Sequence, residues 1–219
     1  MPSRIKVDPN RPLPPSVGKE YWETAAKLIL EHFYPDRFVD LSVDGERPDL
    51  RNGMVGVEVT SAESSISKRI DSLHAREYTY GNIEQRESAE RQITKLGGVI
   101  KEFGLVHPIY NHDLDMIYSS VRKKTRKLNK YYQIFNENDL FIYSTDYIVE
   151  DEFPMILDGI IKSMSGYGRK FDSVFLCCLG GDLCEFNIRS GSYEYISGSH
   201  DAIQQLTIDA RKLIDLKYS

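Results

Sequence analysis

Long apolar runs are missing from this chain. No stretch approaches the roughly 18 residues that a bilayer-spanning helix needs, so passage through a membrane is not expected. The opening residues, MPSRIKVDPNRPLPPS, carry charge and proline but no apolar h-region, and they do not read as a secretory signal. Cysteine is scarce: Cys177, Cys178 and Cys184 are the only three in 219 residues. They form neither an even framework nor a CxxC pair, which points to buried, reduced thiols in a cytoplasmic protein. A general excess of basic charge is lacking too, because the formal net charge is −5. The five histidines (His32, His74, His107, His112 and His200) show no metal-ligand spacing, and no Ser, His and Asp arrangement stands out. Gly166-Tyr167-Gly168 is an isolated GxG without phosphate-loop context and reads as a turn.

What is present is a core. With 41% hydrophobic and 28% charged residues, the chain has the composition of one folded domain over 1–219. Residues 1–15, rich in proline, predict an extended arm. The spacing of Trp22, Ala25, Ala26, Ile29, Leu30 and Phe33 predicts a helix over 16–33, with Ser16 as its cap and Pro35 beyond its end. Strands are expected over 38–42, 48–50 and 54–60, with Asn52-Gly53 as a hairpin turn between the last two. The polar stretch over 62–98 carries short stripes, Ile66/Ile70/Leu73 and Ala89/Ile93/Leu96. It reads as a helical crossover or inserted arm, broken near Gly81 and ending at Gly97-Gly98. A helix over 114–132, a strand over 139–143, a helix over 153–163, strands over 174–179, 183–188 and 193–196, and a helix over 202–216 complete the chain. This order describes an α/β fold with a mixed central sheet flanked by helices.

Charge is unevenly spread. Residues 121–132 read VRKKTRKLNKYY, with Arg122, Lys123, Lys124, Arg126, Lys127 and Lys130 and no acid. Without those six cations the formal net charge of −5 becomes −11. A local basic patch on an acidic chain suits a confined contact with an anion, or simply a solvated helix face.

The chemistry concentrates between Pro48 and Thr60. Val55, Val57 and Val59 alternate onto one face of a strand, leaving Gly56, Glu58 and Thr60 on the other. If the Asn-Gly turn folds the hairpin, Asp49 lies across from Glu58. Two such carboxylates repel unless one is protonated or a cation sits between them, and a hard divalent ion with oxygen ligands is the natural partner.

Pro48-Asp49, followed by a strand ending in Glu58-Val59, after a glutamate-bearing helix and before a basic one, resembles the PD-(D/E)XK nuclease superfamily. The likeness spans about residues 20–143. Thr60 stands where the motif lysine usually does, giving GVEVT. The resemblance implies a restriction-endonuclease-like core with a helical insertion after the third strand, and Mg²⁺ or Mn²⁺ held by Asp49, Glu58 and the Val59 carbonyl. It also implies a glutamate from the first helix. Glu23 lies about 20° from the edge of the apolar arc and is the choice, with Glu20 in reserve.

The resemblance further implies that the missing lysine can come from a neighbouring helix, as it can in that superfamily. Lys124 completes a stripe of 117, 121, 124, 128 and 131, so it is the first candidate and Lys127 the second; the alternative is that Thr125 fills the inward position. Arg122, Lys123, Lys127 and Lys130 would then contact backbone phosphates of nucleic acid, DNA favoured over RNA. The function expected is Mg-dependent phosphodiester hydrolysis. The competing expectation, supported by Thr60, is a nuclease-fold protein without catalysis that binds nucleic acid or a protein partner; a homodimer is also open.

Overall fold

The structure, a computed structural model, describes residues 13, 15–43, 47–79, 83–101, 104–106, 114–145, 148–178 and 181–218. The expected N-terminal arm lies almost wholly outside these residues, as do the break at Gly81 and the side chain of Ser16. The first helix, α1 (Pro15–Phe33), buries the expected face: Ala25, Ala26, Ile29 and Leu30 are fully enclosed. Trp22, on the same arc, is 44% exposed.

The strand expected over 38–42 does not form. Phe38 is buried, but its amide and that of Arg37 return to the Tyr34 carbonyl, and Asp40 adopts a left-handed φ of 50° that no strand accommodates. Only β1 (Ser42–Val43) follows, beside β2 (Leu50–Arg51) and β3 (Val55–Ala62). The β2–β3 hairpin pairs antiparallel, Leu50 with Val57 and Arg51 with Gly56. Asn52 closes its turn, its Oδ1 accepting from the Met54 and Val55 amides and its Nδ2 donating to the Val39 carbonyl.

The stretch after β3 is a helical pair with an addition. Helices α2 (Ser65–Thr79) and α3 (Ile83–Lys95) pack around Ile70, Leu73 and Ile93, while Ile66 stays exposed. Beyond Gly97 the chain forms a small two-stranded sheet, β4 (Val99–Lys101) with β5 (Gly104–Val106). Three-residue strands carry too little alternation to be read from sequence.

The chain then re-enters the main sheet. Helix α4 (Asp115–Leu128) buries Ile117, Val121, Thr125 and Leu128. It leads into β6 (Glu137–Ser144), parallel to β3; α5 (Phe153–Ser163) then connects to β7 (Ser173–Cys178), parallel to β6. An antiparallel meander of β8 (Leu183–Asn187) and β9 (Ser192–Ile196) precedes the last helix, α6 (His200–Lys217). The result is a seven-stranded mixed sheet in the order β1-β2-β3-β6-β7-β8-β9. Helices α4 and α5 cover the face carrying Leu140, Ile142, Val174 and Leu176; α1 and α6 cover the face carrying Val57, Phe141 and Phe175. No helix among the described residues is long and apolar enough to cross a membrane. The three cysteines are buried and unbridged.

A buried ionic cluster ties the turn after α1 to this sheet. The Arg37 guanidinium pairs with Glu137 at 2.5 Å, Asp139 at 2.9 Å and Glu185 at 2.6 Å. Ser173 donates its amide to Asp139 at 2.9 Å and its hydroxyl to Glu185 at 2.6 Å. Asp139 is fully enclosed; burial pushes its carboxyl well above the ordinary range, and Arg37 opposes that. Replacing Arg37 by Met should therefore cost about 3–5 kcal/mol in urea denaturation at neutral pH, because it strands buried carboxylates. An acid with a raised folded-state pKa loses its favourable contribution as pH rises. The deficit of the variant should accordingly shrink on acidification from pH 7 toward 5; a deficit that grew would contradict this account.

Candidate active site

The β2–β3 hairpin sets the first two acids. Its register, continued by one residue from Leu50 opposite Val57, carries Asp49 opposite Glu58. Both side chains are buried, 3% and 4% exposed. Because β2 has only two residues, β3 has no strand partner on that edge beyond Val57. Val59 points its amide and carbonyl there, and two side chains satisfy them. The Asp49 Oδ2 accepts from the Val59 amide at 2.9 Å, and the Lys124 ammonium donates to the Val59 carbonyl at 3.0 Å.

Lys124 also pairs with Glu58 Oε1 in a short contact. Its side chain is 12% exposed, although Thr125 fills the fully inward position and donates its hydroxyl to the Val121 carbonyl. The two alternatives thus coexist: Thr125 packs inward, and Lys124, one residue aside, extends past it to the acid. Burial raises the Glu58 carboxyl, Lys124 opposes it and Asp49 adds to it. Lys127 is half-buried beside Lys124; burial and then that neighbouring cation lower its ammonium.

The third acid comes from α1. Glu23 is 3% exposed, and Lys19, one turn earlier, pairs with Glu23 at 2.8 Å and with Asp49 at 3.0 Å. Burial raises the Glu23 carboxyl to about 7, with Asp49 adding to the shift and Lys19 opposing it. Glu20, the reserve candidate, is elsewhere: it binds Lys217 and the Tyr218 hydroxyl beyond α6, at 2.5 and 2.6 Å.

Two neighbours escaped the sequence reading. Lys19 was legible only as an i,i+4 partner of Glu23. Tyr132 is buried beside Glu58, which together with burial raises its phenol, whereas Tyr131, expected inward, is 64% exposed under the Arg47 guanidinium. The helix ends at Leu128, so its periodicity does not extend to Tyr131.

The remaining site candidates divide by exposure. Arg122, Lys123 and Arg126 are exposed on α4, and Lys130 is exposed in the turn after it. Thr60 is half-buried and borders a cleft beside Glu23. Among the described residues, no group of three or more His, Cys, Asp or Glu side chains is already arranged to hold a metal ion. Glu23 Oε1 is met by the Lys19 ammonium at 2.8 Å, and Glu58 is buried beside both Lys124 and the Tyr132 phenol.

No protein-family model, curated protein or solved structure matches this chain. Asp49 lies beside both Glu58 and Glu23, ammonium groups reach these acids from opposite helix layers, and Glu23 is set to exchange a proton near neutral pH.

The raised Glu23 has a measurable consequence. Its folded-state value near 7 lies above the ordinary 4.5. Its favourable contribution is present below about pH 4.5 and is lost as pH rises through about 7. In chelator, the melting temperature of wild type should fall between pH 5 and 8 more steeply than that of Glu23→Gln, which keeps the shape and cannot ionise. Parallel profiles would show that Glu23 does not carry the charge penalty.

Proposed function

We propose that the chain is a metal-dependent nuclease with a PD-(D/E)XK-type site on a restriction-endonuclease-like core. It hydrolyses phosphodiester bonds, in DNA more than RNA, with Mg²⁺ or Mn²⁺. The observation that carries this reading is the reach of Lys124 from α4 to both Glu58 and the Val59 carbonyl. It supplies a cation beside the acid even though Thr60 holds the usual lysine position.

The residues suit a hard divalent ion. Asp49, Glu58 and Glu23 offer carboxylate oxygens and Val59 a carbonyl, all hard donors, and the three acids are buried with only ammonium groups to balance them. The Lys19 ammonium between Glu23 and Asp49 stands in for the positive charge that the acids require. Such an ion, when bound, supplies Lewis-acid stabilisation of phosphoryl oxygens and lowers the pKa of a water. Asp49 and Glu58 would hold it, with the Val59 carbonyl as a third donor. Lys124 orients the attacking water and balances charge that develops on the phosphoryl group. Glu23, titrating near 7, can accept that water's proton. Arg122, Lys123, Lys127 and Lys130 bind backbone phosphates, which gives affinity without sequence selection. Buried thiols suit the reducing cytoplasm.

Thr60 favours a second reading, in which the same site binds nucleic acid or a protein partner without cutting. The test is cleavage of single- and double-stranded DNA and RNA with Mg²⁺ or Mn²⁺. Glu58→Ala should abolish cleavage with the fold intact. Lys124→Ala should lose more than about 100-fold in turnover with little change in binding. Lys123→Ala, rotated about 100° around the helix, should weaken binding and its salt dependence at near-normal turnover. Equal cleavage by wild type and Glu58→Ala would place the chemistry elsewhere, and metal binding without cleavage of any substrate would favour the second reading.

A further inference from the structure

We propose that the cleft beside Glu23 is a base-stacking subsite built on Trp22, so that the strand at the acids is single-stranded or splayed out of its duplex. This inference rests on the nuclease reading and adds the substrate class to it. The cleft measures about 230 Å³ and lies between α1 and the C-terminal half of β3. Lys19, Glu23, Trp22, Thr60 and Tyr143 line it, so it opens directly beside the acid cluster.

Trp22 is an unusual residue to find there. Its position on the helix belongs to the apolar arc, yet the indole remains 44% exposed, and it is the only tryptophan in the chain. The ring is also held in place. Tyr143 lies against it with centroids 4.7 Å apart at 54°, and Tyr21 meets it at 4.8 Å and 60°. The Tyr143 hydroxyl donates to the Trp22 carbonyl at 3.0 Å, joining β6 to α1 beneath the ring. A fixed, half-exposed indole has already lost the rotamer freedom that stacking would otherwise cost it.

The occupant follows from what adjoins the cleft. Glu23 and Lys19 place a carboxylate and a cation at one wall, and the rest is aromatic (Trp22, Tyr143), aliphatic (Val59) and small polar (Thr60, Ser61). That combination matches a nucleotide, its phosphate near Lys19 and the acids and its base against the indole. A base within a duplex has both faces covered by its neighbours and cannot present one to Trp22; an unpaired or extruded base can. The basic face of α4 contacts phosphates alone and would not discriminate between these forms.

The single tryptophan makes the test direct. In chelator, where cleavage is suppressed, the intrinsic fluorescence of the full-length protein should be quenched by a single-stranded oligodeoxynucleotide. It should be unmoved by a blunt duplex of the same sequence or by an abasic strand of equal length. By anisotropy of labelled strands, Trp22→Ala should bind the single strand roughly 5- to 100-fold more weakly and the duplex as before, with Trp22→Phe restoring much of the loss. A thermal melt of each variant separates loss of the subsite from loss of the fold. Equal weakening on single strand, duplex and abasic strand, or no quenching by any strand, would overturn the proposal and leave the indole as a protein-contact residue. Quenching without cleavage when Mg²⁺ or Mn²⁺ is added would retain the subsite and remove the nuclease reading. Cleavage without quenching would do the reverse.

Discussion

Val59 has no strand partner for its amide and carbonyl, because β2 stops after pairing with Gly56 and Val57 while β3 continues to Ala62. Buried backbone groups left unpaired are costly, so an open sheet edge in a protein interior must be answered by something. Here a carboxylate answers the amide and an ammonium answers the carbonyl. Asp49 and Lys124 are thereby held by the backbone as well as by each other's neighbours. The short second strand is what makes room for the site, and the two side chains that replace the missing strand are the ones with chemistry to offer.

Charge explains why the helix layers close on this edge. Asp49, Glu58 and Glu23 are buried together, an arrangement that repels itself unless cations enter or protons remain. Lys124 arrives from the α4 layer and Lys19 from α1, on the two faces of the sheet. The contrast with Arg37 is informative. Its planar guanidinium meets three acids, two on β6 and one on β8, and Ser173 completes two of them. The Arg37 cluster fastens the structure. At the hairpin, flexible ammonium groups stand beside the buried carboxylates. Lysine can swing away from an acid when a stronger cation arrives, whereas the forked guanidinium is committed.

The parts of this arrangement legible in the sequence were those set by local periodicity. Alternation of Val55, Val57 and Val59 together with Asn52-Gly53 implied the register that faces Asp49 with Glu58. The arc of α1 marked Glu23 as nearly inward. A lysine interrupting the stripe of α4 drew attention to Lys124, although its true place is beside Thr125 and its reach comes from the length of the side chain. What depended on distant contacts was illegible. Lys19 looks like any exposed cation at the start of a helix, and Tyr132 could not be told from Tyr131 without the helix end. Arg37 finds acids more than 100 residues away along the chain. The expected strand over 38–42 failed because apolar spacing says nothing about φ at Asp40.

The placement of Trp22 carries the same reasoning one step further. An apolar-arc residue that stays half exposed departs from the burial rule that shaped the rest of α1, and such local departures gather at functional positions. Ala26, Ile29 and Leu30 belong to the hydrophobic cluster on the sheet, whereas Trp22 lies outside it and its ring meets those of Tyr143 and Tyr21. The same one-turn step that lifts Trp22 off the core brings Lys19 and Glu23 onto Asp49, because the three residues share the first half of the helix. The orientation of α1 that buries the acid also exposes the indole. Trp22 and Glu23 are neighbours about 100° apart around the helix, so the aromatic surface and the third carboxylate come from adjacent positions of one helix.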